Sequence, residues 1–217
     1  MVSQAKLDED PLELAHVYFF NSPGADNTSR VIRAVKRRAR SGDIDKILIA
    51  SESGRLALKL GRAFDSTKIV CVTYNAETRR RYRKPALMKD QLLKQRIVVV
   101  DNVPEPLGRE LIFRNWWEAK TINLPGLSAD LFWMTLICVG GHGLRTAVEI
   151  VFMAVQAGVV PPGERVISIA GTGWGADSAI VMRASRFDEI VGEDPEKRMK
   201  IEEILAIPKR VRWLGYG

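Results

Sequence analysis

The stretch Lys46-Ile47-Leu48-Ile49-Ala50-Ser51-Glu52-Ser53-Gly54-Arg55, with Leu56-Ala57-Leu58-Lys59-Leu60 behind it, decides the fold. A short apolar run before a small-residue turn suits a buried parallel strand, and the run after the turn suits a helix. Strand, Ser/Gly turn and helix together offer an anion site. The first helical N–H groups have no intrahelical partner, and the helix dipole adds partial positive charge there. Ser51 and Ser53 supply hydroxyls, and Gly54 lets a ligand approach the backbone. The serines can equally serve as plain helix caps, and the decapeptide leaves both readings open.

Outward from this unit the pattern repeats. Val17–Phe20 reads as a strand, Asn21–Gly24 as a turn, and Asn27 or Thr28 can cap a helix running to about Arg40. Ser41-Gly42-Asp43 ends that helix. Helix Arg55–Phe64 and strand Ile69–Thr73 follow, then a basic loop Arg79–Lys84, a short helix Ala86–Lys94 and strand Ile97–Val100. Strands alternating with helices at short spacing indicate parallel β-α-β units. Prolines and glycines interrupt the signal from Asp101 to Ser128, where Trp116-Trp117 reads as a cover packed on the core or a ligand-stacking pair. Ala129–Val139 and Leu144–Ala157 read as helices joined by a hinge, Gly140-Gly141-His142-Gly143. Strands Arg165–Ala170 and Ser178–Arg183 flank a glycine-rich loop, and the tail suggests a helix over Glu196–Leu205.

The chain has 217 residues, 46% of them apolar and 27% charged, which fits a single α/β domain at 16–217 behind a loose acidic arm at 1–15. The longest apolar run, Leu131 to Val139, has nine residues, short of the roughly 20 of a membrane helix. The polar N-terminus does not resemble a signal peptide, so a cytoplasmic location is the expectation. Cys71 and Cys138 both sit in apolar runs and are expected as buried thiols. Two histidines, His16 and His142, with no Cys or carboxylate at ligand spacing, give no metal site, and no G-x-S-x-G elbow appears.

The formal charge is +7, and much of it lies in Arg30–Arg40, Arg79–Lys84 and Lys209–Arg212. Arg30, Arg33, Arg37 and Arg40 share one helical stripe opposite Val31, Val35 and Ala39. Such a run suits a solvated face. Nucleic-acid binding is the sharper alternative, although no recognised motif and no interleaved aromatics accompany it.

Gly171 to Ala176 formally matches G-x-G-x-x-A, but a dinucleotide fingerprint needs a helix next, and Ser178–Arg183 is strand-like. A loop between neighbouring strands fits better. Its glycines and Thr172 can form an anion-binding nest of N–H groups, or simply a tight connection. Gly140–Gly143 can be a second anion-binding N-terminus with Arg145 as counter-charge, or a junction needing positive φ. His142 is a proton-transfer candidate near neutral pH or a structural residue.

Taken together, residues 46–185 resemble the C-terminal domain of pyruvate kinase, through Ile47–Arg55, Lys68–Thr73 and Ala157–Gly171. The kinase barrel and its catalytic apparatus are absent from the sequence. The chain as a whole resembles a family of small stand-alone archaeal and bacterial proteins with that domain fold. That likeness rests on Tyr18–Gly24, Ser51–Arg55, Ala147-Val148-Glu149 and the loop Gly171–Asp177. It departs at Tyr74, where the family pattern has His, and at Trp174, where it has Arg; a Trp there can stack on a flat ring.

The resemblance implies a three-layer α/β/α fold on a mixed five-stranded core sheet of order 3-2-1-4-5, counted from Ile47, with the last strand antiparallel. It implies a phosphorylated ligand, flavin mononucleotide (FMN) above all, at the carboxyl ends of the strands. The implied contacts are Asn21, Ser51, Ser53, Gly54, Arg55, Thr73, Gly171, Thr172, Gly173, Trp174, Gly175 and Asp177. His142 and Glu52 are the candidate catalytic groups if the chain is instead an enzyme acting on a phosphorylated metabolite. A homo-oligomer without membrane partners is the accompanying expectation, with a basic nucleic-acid-associated module as a further alternative.

Overall fold

The computed structural model describes residues 16–103, 129–190 and 193–211. The arm expected over 1–15, and Trp116 and Trp117, lie outside them. The strands are β1 (Tyr18–Phe20), β2 (Lys46–Ala50), β3 (Ile69–Val72), β4 (Val98–Val100), β5 (Arg165–Ala170), β6 (Ser178–Arg183) and β7 (Lys200–Pro208). The helices are α1 (Thr28–Arg38), α2 (Arg55–Gly61), α3 (Ala76–Arg81), α4 (Lys89–Lys94) and α5 (Ala129–Gln156).

The strands form one mixed sheet of seven, order β1-β7-β6-β5-β2-β3-β4, where five were expected. Pairing is parallel in β1–β7, β5–β2, β2–β3 and β3–β4, and antiparallel where β6 meets β5 and β7. Alternation along each strand divides the core in two. Leu48, Val70, Val166, Ile180 and Met182 face α5. Ile47, Ile49, Ile69, Ile167 and Val181 face α1, α2 and α4. The result is three layers. Val31 and Val35 of α1 are fully buried, each contributing about 1.5–3 kcal/mol of apolar burial.

Four sequence expectations are corrected. The tail is not a helix over Glu196–Leu205 but strand β7, and with β1 it accounts for the larger sheet. The run Glu202-Glu203-Ile204-Leu205 has good helix formers, but strand pairing and ion pairs outweigh that propensity. Glu202 meets Arg165 at 2.5 Å and Arg183 at 3.2 Å, and Glu203 meets Arg38 at 2.8 Å. The basic loop at Arg79 is instead the end of α3, whose cap Asn75 accepts from the Thr78 N–H at 2.9 Å. Helix α2 stops at Gly61, short of Phe64. Cys71 is buried but Cys138 is exposed, because the exposed side of α5 carries it.

Helix α5 is kinked where the hinge was expected. Gly140 and Gly141 leave helical geometry (φ −149° and +74°). A side chain at Gly140 would press on Ile207 and Leu144, and one at Gly143 would meet the carboxylate of Asp177. The kink thus lets the helix close onto the ends of β6 and β7. Ser168 of β5 donates to the Ala147 carbonyl at 2.6 Å and pins the second half of α5 to the sheet.

Candidate functional site

β2 pairs with β3 on one side and β5 on the other, all parallel, so the chain reverses its direction of winding at β2. Open α/β sheets bind ligands outside the carboxyl ends of the strands at such a switch point. Ile49 lies opposite Ile169. Ser51 and Gly171 therefore leave neighbouring strands, about 4.8 Å apart, at the same edge. Two segments over a hundred residues apart in the chain are brought side by side.

The Ser51–Arg55 turn is not held as a conventional cap. The residue before α2 is Gly54 at φ +84°, with no side chain capping the helix. Gly54 is needed for conformation and for space, since a Cβ there would lie 3.0 Å from Leu92 Cδ1. Ser51 is buried; its N–H donates to the Val72 carbonyl at 3.1 Å and its carbonyl accepts from Cys71 Sγ at 3.8 Å. Burial pushes the Cys71 thiol up to about 12, so it stays protonated. Ser53 Oγ makes one long contact, 3.4 Å from the Arg55 N–H, and the Arg55 side chain is exposed.

A basic segment folds over this turn. Arg79 Nη1 donates to the Glu52 carbonyl at 2.5 Å and to Thr73 Oγ1 at 3.0 Å, and its Nη2 donates to the Pro85 carbonyl. Lys84 Nζ bonds the Glu52 carboxylate at 2.7 Å and lies 5.4 Å from the centre of the Tyr74 ring. The Met88 N–H donates to the Ser53 carbonyl at 3.1 Å. Sequence reasoning did not place Arg79 and Lys84 at the site. The Asn75-Ala76-Glu77-Thr78 cap followed by a cationic run was the available signal.

The second loop is built around Asp177, which is fully buried. Its Oδ2 accepts from the N–H groups of Gly24 at 2.8 Å and Thr172 at 2.9 Å, and its Oδ1 from Ser178 Oγ at 2.9 Å. Asp177, expected among the ligand contacts, uses its oxygens to tie the loop to the Asn21–Thr28 segment. Ala176 N–H donates to Thr28 Oγ1 at 3.0 Å, and a side chain at Gly175 would strike Thr28 and Ala25. Gly173 and Gly175 have φ of +83° and +75°.

Between those anchors the loop exposes its crest. Trp174 is 72% exposed and Gly173 is open to solvent. The Thr172 hydroxyl is buried, the residue being 6% exposed, and it has no hydrogen-bond partner among the described residues. Asn21 is exposed beside the loop's anchor segment, and Thr73 is buried under Arg79. His142 is half-buried at the α5 kink, next to Gly143 against Asp177. Glu52 is half-buried and ion-paired. Among the described residues no group of His, Cys, Asp and Glu could hold a metal ion. Compared with models of known protein families, the chain matches none.

Proposed function

We propose that this protein binds a phosphorylated small molecule across the Ser51–Arg55 and Gly171–Asp177 loops, with FMN as the ligand to test first. One observation carries the reading. A Ser/Gly turn and a glycine-rich loop meet at the sheet's switch point, and the Thr172 hydroxyl there is buried without a partner. A buried unsatisfied hydroxyl costs about 1–3 kcal/mol, which a ligand oxygen would recover. N–H groups of the loop, the serine hydroxyls and the cations Arg79, Lys84 and Arg55 all suit phosphate. Trp174 offers a face to a flat ring. We read the run β4-β3-β2-β5-β6, with β6 antiparallel, as the core order of the pyruvate kinase C-terminal-like fold, which supports the same ligand class.

Calorimetric titration with FMN and riboflavin tests the reading. Charge-assisted phosphate contacts contribute roughly 1.5–3 kcal/mol each, so riboflavin should bind at least about tenfold more weakly. Equal affinities would sink the phosphate argument. If the bound molecule is a substrate, the proton-transfer candidates are His142 at the α5 kink and Glu52, which is ion-paired to Lys84.

A further inference from the structure

We propose that the outer surface of α1 and α2 docks a nucleic-acid phosphodiester backbone without reading sequence. The inference shares only Arg55 with the ligand reading above, and its test is placed on α1. Arg30, Arg33, Lys36, Arg37 and Arg40 are exposed on one side of α1 and its terminal turn, while Val31, Ala34 and Val35 face the core. From Arg30 to Arg40 the stripe extends about 15 Å at 1.5 Å per residue. Helix α2, on the same face of the sheet, exposes Arg55, Lys59 and Arg62 at i, i+4 and i+7.

The arrangement is not that of a merely solvated face. Several cations elsewhere have carboxylate partners: Lys46 has Glu164, Lys89 has Asp101, and Arg165 has Asp43 and Glu202. Within α1 itself Arg38 is bound to Asp43 and Glu203. Among the described residues Arg30, Arg33, Lys36 and Arg40 have no carboxylate within ion-pair distance, and neither do Arg55, Lys59 and Arg62. The first turn of α1 has no acidic residue and holds Arg30 at the positive end of the helix dipole. Like charges repeat at i+3 and i+4 along it, which disfavours the free helix. A polyanion relieves both costs.

The chemistry of the surface selects the polyanion. A helix lying in a membrane interface turns its apolar side to the lipid. The apolar side of α1 is in the core, and none of the exposed large apolar residues among those described lies on α1 or α2. Neither α1 nor α2 carries an aromatic side chain to stack on bases, so contacts run to phosphates and specificity for sequence is absent.

Fluorescence anisotropy with a duplex DNA and a single-stranded RNA of about 20 nucleotides, over about 50–200 mM salt, tests this. Wild type should bind both with a log–log salt slope of about −3 or steeper, at about −0.9 per duplex phosphate neutralised. The variant R30Q/R33Q/R40Q should lose about 2.7 from the duplex slope and at least tenfold in affinity at about 50 mM salt. It should melt no lower than wild type, since repulsion is relieved. The control R186Q/K197Q/R198Q removes equal charge from another region and should change affinity less than about twofold. No wild-type binding at about 50 mM salt, equal losses in both variants, or preference for anionic vesicles over nucleic acid would each overturn the proposal.

Discussion

Replacing Asp177 separates a scaffold residue from a ligand residue. In Asp177→Ala, the Thr172 N–H loses its acceptor in a buried position, at a cost of about 1–3 kcal/mol. The Gly24 N–H is half-buried and can be partly rehydrated, so its loss adds about 1 kcal/mol. The sum is about 2–4 kcal/mol, and for a chain of this length about 2–4 °C per kcal/mol gives a Tm lower by about 4–16 °C. Asp177→Asn keeps one oxygen for both N–H groups and turns its amide to Ser178 Oγ. It loses only charge assistance, and its Tm should fall about half as far. Calorimetric melting of the ligand-free variants reads both quantities. A Tm for Asp177→Ala within about 2 °C of wild type, together with lost FMN affinity, would refute the scaffold assignment and return Asp177 to the ligand contacts.

Trp174→Ala should weaken FMN while leaving inorganic phosphate binding and the apo Tm unchanged; loss of phosphate binding in the same titrations would count against ring stacking. Ser53→Ala, which removes only one long contact to the Arg55 N–H, should lower affinity with little change in apo stability. Gly54→Val should fail on both measures, because φ +84° and the approach of Leu92 oppose any β-branched side chain. Cys138 should react with a thiol reagent in the native protein, and Cys71, buried and pushed up to about 12, only on unfolding. Hydrogen bonding to Arg38 holds the Asp43 carboxyl at about 2 against an ordinary 3.8. The stability it contributes is complete above about pH 4 and is lost as pH falls toward 2, to an extent reduced by its exposure. Urea melts of Asp43→Asn should show less loss of stability than wild type over that interval.

The local chemistry of the chain determined its elements and the identity of its loops. Apolar runs at Ile47, Ile69 and Val166 form buried strands between helices, and the run at Val98 forms an edge strand. The Gly140-Gly141 and Gly171–Gly175 clusters mark backbone geometry that other residues resist. Periodicity and φ preference act over a few residues, so they are legible in sequence. Tertiary structure decided the rest. Residues 200–208 became a strand because β6 and β1 offered free edges and Arg165, Arg183 and Arg38 stood opposite their glutamates. Arg79 and Lys84 reached the candidate site because α3 packs over the β2 turn. Asp177 serves the scaffold because the Gly24 N–H, 153 residues away, ends beside it. A buried carboxylate and a ligand carboxylate are the same residue in sequence. Which donors surround it is set by long-range packing, and only that assigns its role.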